Sequence, residues 1–182
     1  MPLTLLLGGV RSGKSRLAVR LAAATGGKVV VVATAEALDE EMADRIRRHR
    51  AERPRDWLTV EEPLDLEGAL AAIPERACAL VDCLTLWVSN LLERSLSDQG
   101  VEDRARAAAT LAASRAAGTV AVTNEVGWGV VPDNALARRF SDVLGRVNAI
   151  WADQAEKSLL VVAGRILPLS GPEVVRLDRA SE

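Results

Sequence analysis

One glycine-rich segment near the start of the chain has the composition and spacing of a phosphate-binding loop. The sequence of Gly8–Ser15 is GGVRSGKS, which fits the pattern G-x-x-x-x-G-K-[ST]. Glycines let backbone N–H groups close around phosphate oxygens, and a helix that begins at the loop adds positive potential. Lys14 would neutralise charge on the β- and γ-phosphates, and Ser15 would coordinate Mg²⁺. The segment therefore predicts a nucleoside triphosphate site; a chance glycine turn before a helix is the alternative. The predicted contact residues are Gly8, Gly9, Val10, Arg11, Ser12, Gly13, Lys14 and Ser15.

An aspartate stands where a second predicted strand ends. Asp82 follows the apolar residues of Ala77–Val81, and open parallel sheets bind ligands at the carboxyl ends of their strands. This position favours a role for Asp82 in holding Mg²⁺, either directly or through water. The alternative is that Asp82 only caps a helix predicted at Leu84–Leu96.

The only histidine of the chain, His49, lies in an arginine-rich helical segment. Leu38, Met42 and Ile46 recur at helical spacing and His49 continues the same stripe, which is typical of a packed histidine. The flanking arginines would instead attract a polyphosphate, and a neutral imidazole beside bound phosphate is a competent nucleophile. These arginines can also form a solvated helix face that pairs with nearby acids, so the residues leave both roles open. The arginines are Arg45, Arg47, Arg48, Arg50 and Arg53.

A later segment places several polar groups after another predicted strand. The sequence of Val122–Pro132 is VTNEVGWGVVP, which combines an amide, a carboxylate, an aromatic ring and flexible backbone where a substrate loop belongs in a parallel sheet. The alternative is a structural turn with a helix cap. The tryptophans are expected to pack in or near the core, and Trp128, between two glycines, is the exception. They are Trp57, Trp87, Trp128 and Trp151.

Short apolar runs alternate with amphipathic segments along the chain, which predicts a mostly parallel sheet with helices on both faces. The predicted strands are Leu3–Leu7, Lys28–Ala33, Trp57–Glu61, Ala77–Asp82, Thr119–Thr123 and Ser158–Ala163. The predicted helices are Ser12–Thr25, Ala37–Arg53, Leu64–Ile73, Leu84–Leu96, Val101–Ala117 and Pro132–Glu156. A polar turn is expected around Asp98–Gly100, Pro132 is expected near the first turn of the last helix, and no element is assigned after Gly164.

The size and composition indicate one domain, residues 1–182. The formal net charge of −2 provides no basic surplus for a nucleic-acid partner. No apolar run is long enough to span a membrane, and no signal peptide is recognised, so a cytoplasmic location is expected. Cys78 and Cys83 are expected to be buried thiols rather than a disulfide or a metal site.

Several of these motifs occur together, in this order and spacing, in a known family. The chain resembles the bifunctional adenosylcobinamide kinase/adenosylcobinamide-phosphate guanylyltransferases of cobalamin biosynthesis. The resemblance runs nearly end to end, and its last segment is not a general feature of phosphate-loop proteins. The matching segments are Gly8–Arg16, Val32–Pro54, Trp57–Glu61, Val81–Leu92 and Val122–Asn148.

The resemblance implies a P-loop NTPase-like (RecA-like) three-layer α/β/α fold and two reactions. In the first, a hydroxyl of adenosylcobinamide takes the γ-phosphoryl group of ATP or GTP. In the second, a histidine attacks the α-phosphorus of GTP, and the guanylyl-histidine then transfers GMP to adenosylcobinamide phosphate to form adenosylcobinamide-GDP. His49 occupies the position of that histidine, so the resemblance favours His49 as nucleophile, and Lys14 is the second catalytic residue.

The resemblance also assigns nucleotide contacts outside the loop and a homo-oligomeric state, such as a trimer. Where some relatives have glutamate, this chain has Asp82, which keeps the charge with a shorter reach. Two other functions remain as alternatives: a simple small-molecule kinase with a structural His49, and a non-catalytic nucleotide-dependent switch. The contacts implied outside the loop are Ala33, Thr34, Ala35, Arg50, Ala51, Glu52, Arg53, Glu61 and Asp82.

Overall fold

The computed structural model describes residues 3–170, and its strands form one seven-stranded sheet. The strands are β1 Leu3–Gly8, β2 Val29–Ala33, β3 Leu58–Glu61, β4 Cys78–Asp82, β5 Thr119–Val122, β6 Lys157–Val162 and β7 Arg165–Pro168. The helices are α1 Lys14–Ala23, α2 Glu40–Ala51, α3 Leu66–Ala72, α4 Leu84–Glu93, α5 Asp98–Ser114 and α6 Ala135–Gln154. The strand order is β3-β2-β4-β5-β1-β6-β7, and every neighbouring pair is parallel except β6 and β7.

Alternating side chains of the central strands bury their apolar groups on both faces of the sheet. Leu3, Leu5 and Leu7 of β1 pack in the cluster that includes residues of α3, α4, α5 and α6. Leu6 points to the other face, where Ala18 of α1 covers it. The predicted three-layer architecture with a mostly parallel sheet is therefore confirmed, and the continuous apolar strands result from burial on both faces.

Three predicted helix starts are wrong by three residues, and side-chain caps explain all of them. α2 begins at Glu40 rather than Ala37, because the Asp39 side chain accepts a hydrogen bond from the Met42 N–H. α5 begins at Asp98 because the Ser97 side chain accepts a hydrogen bond from the Gly100 N–H, so the expected polar turn is the first turn of the helix. α6 begins only at Ala135, where Asn134 is the cap, so Pro132 lies outside its first turn.

Three further expectations are decided by the positions of individual residues. β7 occupies the segment after Gly164, to which no element had been assigned. Trp87 and Trp151 are buried as expected, whereas the side chain of Trp128 is 73% exposed. Cys78 is a buried free thiol, and Cys83 is free but only partly buried.

Among residues 3–170, we find no helix that combines the length and the hydropathy needed to cross a membrane.

Arg115, at the end of the neighbouring helix α5, closes the end of α3. Its buried guanidinium donates hydrogen bonds to four carbonyl oxygens at 2.9–3.1 Å. These oxygens belong to Leu70, Ile73, Pro74 and Ala77. The Leu70 and Pro74 carbonyls also accept hydrogen bonds from backbone N–H groups, whereas Arg115 is the donor for the Ile73 and Ala77 carbonyls at the helix end and in the turn before β4. Arg115 therefore helps to set how the chain enters β4.

We expect Arg115→Met to lower the free energy of unfolding by about 3 kcal/mol or more, because it removes the donor of the buried Ile73 and Ala77 carbonyls and two further hydrogen bonds. Urea unfolding followed by circular dichroism measures this change. Arg104→Ala on the exposed face of α5 is the matched control and should change the stability by less than about 0.5 kcal/mol. Equal stabilities of the two variants would contradict the role assigned to Arg115.

Candidate active site

The parallel register aligns the ends of four strands along one edge of the sheet. Ala33 at the end of β2 pairs with Glu61 of β3 on one side and with Asp82 of β4 on the other. Asp82 in turn pairs with Val122 of β5, which lies beside β1. The phosphate loop follows β1, so the polar groups after these strands converge on one edge. This is the edge at which parallel α/β sheets bind ligands.

The phosphate loop depends on glycines at two positions. A side chain at Gly8 would collide with the carbonyl oxygen of Val161 on β6, and Gly13, which caps α1, has a φ of 102°. The loop is held from outside by the Gly164 N–H, which donates to the Ser12 carbonyl at 2.9 Å. The buried Ser12 hydroxyl has no hydrogen-bond partner among residues 3–170. This cradle therefore offers donors that a phosphate group would satisfy.

Lys14 is folded back against its own loop. Its ammonium group is largely buried and donates a hydrogen bond to the Gly9 carbonyl at 3.0 Å. Desolvation lowers the pKa of Lys14, and this is partly opposed by the nearby Cys83 and Asp82 side chains. A desolvated Lys14 ammonium group beside the N–H donors of the loop favours binding of a phosphate anion.

Two clefts meet beside the loop. The outer cleft has a volume of about 660 Å³ and lies between the phosphate loop and α2. Five cationic side chains line it, against the two carboxylates of Glu41 and Glu52. The inner cleft is narrower, about 80 Å³, and extends over the sheet edge towards Asp82 and Asn124. The outer cleft has the size and charge for a nucleotide's phosphates. The cations of the outer cleft are Arg11, Lys14, Arg16, Arg45 and Arg48.

His49 lies where the two clefts join. Among the described residues, only Lys14, Ser15, Arg45 and His49 border both of them. The helix that carries His49, α2, begins at the cap Asp39 and contains no buried residue. The packed histidine suggested by the apolar stripe is therefore not what the structure shows. Instead, the imidazole is half-buried at the cleft junction, beside Lys14 and Ser15.

An ion pair attaches the end of α2 to the sheet. Arg53 donates a hydrogen bond to Asp82 Oδ2 at 2.7 Å, and the two side chains are only 9% and 17% exposed. A second pair, Arg50 with Glu61, has an N–O distance of 3.8 Å between side chains about two-thirds exposed, so it contributes little. Because of the first pair, one carboxylate oxygen of Asp82 is engaged by Arg53. The peptide bond after Asp82 is cis.

Thr34 holds the strand ends together. Its side chain is fully buried, donates to the Cys83 carbonyl at 2.7 Å and accepts from the Cys83 N–H at 2.9 Å. The Thr34 carbonyl accepts from the Asn90 side chain at 2.7 Å. The Thr34 hydroxyl therefore makes its hydrogen bonds within the protein. Its role is to position Ala33, Ala35 and Asp82.

The structure brings most of the predicted site residues to the two clefts. The predicted residues that line the inner cleft are Lys14, Ser15, Ala33, Ala35, His49, Arg50, Arg53, Glu61 and Asp82. Those that line the outer cleft are Val10, Arg11, Ser12, Gly13, Lys14, Ser15, His49 and Glu52. Neither cleft includes Gly8, Gly9, Thr34 or Ala51 among its lining residues. Gly8 and Thr34 are buried beneath the site, whereas Gly9 and Ala51 are exposed beside it.

Several lining residues were absent from the predicted site. Asn124 lies two residues after β5, and its amide was noted in the segment Val122–Pro132 without being assigned to the site. Arg45 was noted only as part of a charged helix face, yet it borders both clefts. Met42, Ile46 and the helix α4 residue Leu86 form the apolar wall of the inner cleft. Their apolar type alone could not distinguish a cleft wall from a core.

The donor set beside Lys14 fits a magnesium ion. Ser15 and Asp82 border the same inner cleft, and Mg²⁺ in nucleotide sites takes one or two protein oxygens together with phosphates and water. No group of three or more His, Cys, Asp or Glu side chains in residues 3–170 forms a metal-binding cluster. The arrangement therefore suits a metal that arrives with the nucleotide rather than one held by the protein alone.

The Cys83 thiol faces this site in its protonated form. Desolvation and the neighbouring Asp82 carboxylate raise the pKa of Cys83 to about 11, against weaker opposing contacts. The thiolate is the reactive form, so the thiol is inert at neutral pH despite lining the inner cleft.

We expect iodoacetamide to modify Cys83 of the folded protein very slowly at pH 8, where only about one thiol in a thousand would be ionised. The rate should rise steeply towards pH 10.5, and peptide mass spectrometry after timed quenching measures it. The urea-unfolded chain, in which both cysteines react, is the control. Rapid modification of the folded protein at pH 8 would contradict the raised pKa.

Comparison with known proteins identifies close relatives along almost the whole chain. Residues 4–169 match the family model described as cobinamide kinase / cobinamide phosphate guanyltransferase. The bifunctional adenosylcobalamin biosynthesis protein CobP of Pseudomonas aeruginosa is 46% identical over 92% of this chain and 96% of its own length. The bifunctional adenosylcobalamin biosynthesis protein CobU of Escherichia coli is 38% identical over 88% of this chain and 95% of its own length.

A solved structure supports the fold independently. An ATPase from the type III secretion system of pathogenic bacteria superposes with a TM-score of 0.51, covering 87% of this chain and 50% of that chain. The sequence identity is 14%, so this likeness concerns the fold alone. It agrees with the phosphate-loop α/β architecture described above.

Proposed function

Since this chain belongs to the cobinamide kinase / cobinamide phosphate guanyltransferase family, we propose that it performs both reactions of that name. It phosphorylates adenosylcobinamide with ATP or GTP and then transfers GMP from GTP to the phosphorylated product. The observation that carries this proposal is the position of His49, which borders both clefts together with Lys14 and Ser15. The candidate nucleophile and the phosphate cradle therefore border the same site.

In the kinase reaction, the loop and Lys14 hold the β- and γ-phosphates of the donor. The phosphoryl group passes through a loose transition state, so catalysis depends on positioning and on charge stabilisation. The Lys14 ammonium and the loop N–H groups supply that stabilisation. Mg²⁺, bound through Ser15 and Asp82, would neutralise further charge on the phosphates. Asp82 can use the carboxylate oxygen that Arg53 leaves free.

In the guanylyltransfer reaction, an imidazole nitrogen of His49 attacks the α-phosphorus of GTP. The bond from the α-phosphorus to the α–β bridging oxygen breaks, and pyrophosphate leaves with the electron pair. A phosphate oxygen of adenosylcobinamide phosphate then attacks the same phosphorus and releases His49. The cations of the outer cleft, Arg45 and Arg48 among them, favour the departing pyrophosphate.

The structure weighs against the two alternative functions. A simple kinase with a structural histidine would bury His49 among apolar side chains, but α2 contains no buried residue. A non-catalytic switch would need no nucleophile at the phosphate cradle, and His49 lies at that cradle. Only the bifunctional enzyme uses both the phosphate cradle and a histidine that lies unburied beside it.

We expect GTP labelled at the α-phosphorus to label the protein covalently in the absence of any corrinoid. The label should be acid-labile and alkali-stable, as a phosphorus–nitrogen bond requires. His49→Ala should abolish the label and retain at least part of the kinase activity, because the γ-phosphoryl transfer does not pass through the imidazole. Gel autoradiography and a kinase assay with adenosylcobinamide measure the two activities.

The matched control for this experiment is Arg47→Ala, which removes a cation from α2 that lines neither cleft. This variant should keep the label. Label retained after His49→Ala would exclude His49 as the nucleophile, and a wild type that is never labelled would favour the simple kinase.

We expect Lys14→Ala to lower kcat/KM of the kinase reaction by roughly 100-fold or more, because it removes a buried cation from the developing phosphoryl charge. Labelling by α-labelled GTP should fall as well, since both reactions use the cradle. Lys28→Ala, an exposed lysine just before β2, is the control and should behave as the wild type. Kinase activity of Lys14→Ala within threefold of the wild type would be incompatible with the assigned role.

Four features of the proposal rest on the family resemblance and the sequence. These are the use of Mg²⁺, a homo-oligomer such as a trimer, the lack of a nucleic-acid partner and a cytoplasmic location. They stay predictions.

A further inference from the structure

Asn124 occupies a central position at the active-site edge of the sheet. It follows β5, which lies between β1, the strand that leads into the phosphate loop, and β4, the strand that ends at Asp82. Asn124 lines the inner cleft together with Lys14, Ser15 and Asp82. It is therefore placed among the groups assigned above to the γ-phosphate and the metal.

The backbone of Asn124 is clamped on both sides by buried side chains. Its N–H donates to Thr85 Oγ1 at 2.7 Å, and its carbonyl oxygen accepts from Asn148 Nδ2 at 3.0 Å. Thr123 Oγ1 donates to Asn148 Oδ1 at 2.7 Å, which fixes the orientation of that amide. The side chains of Thr85, Thr123 and Asn148 are at most 7% exposed.

Thr85 and Asn148 contact the Asn124 backbone directly, and Asn148 Nδ2 also donates to Glu125 Oε1 at 3.2 Å. Buried polar side chains are costly unless they are fully hydrogen-bonded, and here two of them bond Asn124 directly while Thr123 orients Asn148. The Asn124 carboxamide itself makes no hydrogen bond to any residue of the described range 3–170. A rigid backbone with an unengaged amide at the cleft is an arrangement suited to a substrate contact.

We propose that the Asn124 carboxamide binds the reacting groups of the kinase reaction, with its N–H donating to the γ-phosphoryl group and its oxygen accepting from the incoming hydroxyl. This inference rests on the function proposed above. The hydroxyl oxygen forms a bond to the γ-phosphorus, and the bond from that phosphorus to the β–γ bridging oxygen breaks. The nucleoside diphosphate leaves with the electron pair, and the hydroxyl proton passes to solvent. Asn124 aligns the two reactants and takes no proton itself.

The same geometry separates Asn124 from the guanylyltransfer. Asn124 borders only the inner cleft, whereas of the two named arginines that favour pyrophosphate departure Arg48 borders only the outer cleft and Arg45 borders both. Attack by His49 on the α-phosphorus needs the cradle and these cations, but no group aligning a hydroxyl with the γ-phosphorus. Removing the carboxamide should therefore affect the two reactions very differently.

The decisive variant is Asn124→Ala, assayed for both reactions and for stability. We expect kcat of the kinase reaction to fall by roughly 100-fold, with KM for the nucleotide within about threefold of the wild type. Labelling of His49 by α-labelled GTP should stay within about threefold. The melting temperature should change by less than about 2 °C, because the carboxamide has no partner in the described structure to lose.

Three further variants make the test specific. Asn124→Asp keeps the shape but replaces the donor by a charge that repels phosphate, so its kinase rate should be at least as low as that of Asn124→Ala. Thr85→Val removes the hydroxyl that holds the Asn124 N–H and should give an intermediate kcat. Gln99→Ala deletes an exposed carboxamide on α5 and should be indistinguishable from the wild type in both reactions.

Each contrary outcome has a distinct meaning. Kinase activity of Asn124→Ala within threefold of the wild type would overturn the inference and leave the proposed function standing. Equal losses of kinase activity and labelling, or a lowered melting temperature, would show that Asn124 is a general nucleotide contact or a structural residue, and would also overturn it. A wild type that phosphorylates no cobinamide would overturn the proposed function together with this inference.

Discussion

The active site depends on the parallel backbone pairing that brings the ends of β1, β2, β4 and β5 to one edge of the sheet. The register places Ala33 beside Asp82 and Asp82 beside Val122. Groups far apart along the chain thereby become neighbours. A slip of one residue would turn each strand's side chains to the opposite face, which would remove Asp82 from the cleft and apolar residues from the core.

Buried polar residues make this edge rigid. Thr34 and Asn90 lock the turns after β2 and β4, and Thr85 with Asn148 locks the turn after β5. Each is nearly inaccessible to solvent and has its hydrogen bonds satisfied within the protein. Loops at strand ends are usually the variable parts of an α/β fold, and here their first residues are held by buried hydrogen bonds.

α2 is the contrasting element. Its first turn is capped by Asp39, but none of its residues is buried, and its attachment to the sheet includes the ion pair of Arg53 with Asp82. The helix therefore contributes charge and the imidazole of His49 to the clefts rather than packing to the core. The ion pair also links Asp82, the candidate metal ligand, to the helix that carries His49, the proposed nucleophile. Binding of a cation at Asp82 would therefore affect the attachment of that helix as well.

The sequence by itself determined the fold class, the phosphate loop and most strand positions, because these depend on local patterns. Apolar strands, the spacing of Gly8, Gly13 and Lys14, and the family motifs are all contiguous in the chain. The starts of α5 and α6 escaped prediction because short side-chain caps, at Ser97 and Asn134, override the composition of the first turn. Only the tertiary structure revealed that Thr34 faces inward, that Arg53 engages Asp82 and that Asn124 faces the cleft. Those facts depend on contacts between residues 29 to 56 positions apart, which strand order and register decide and which no local pattern encodes.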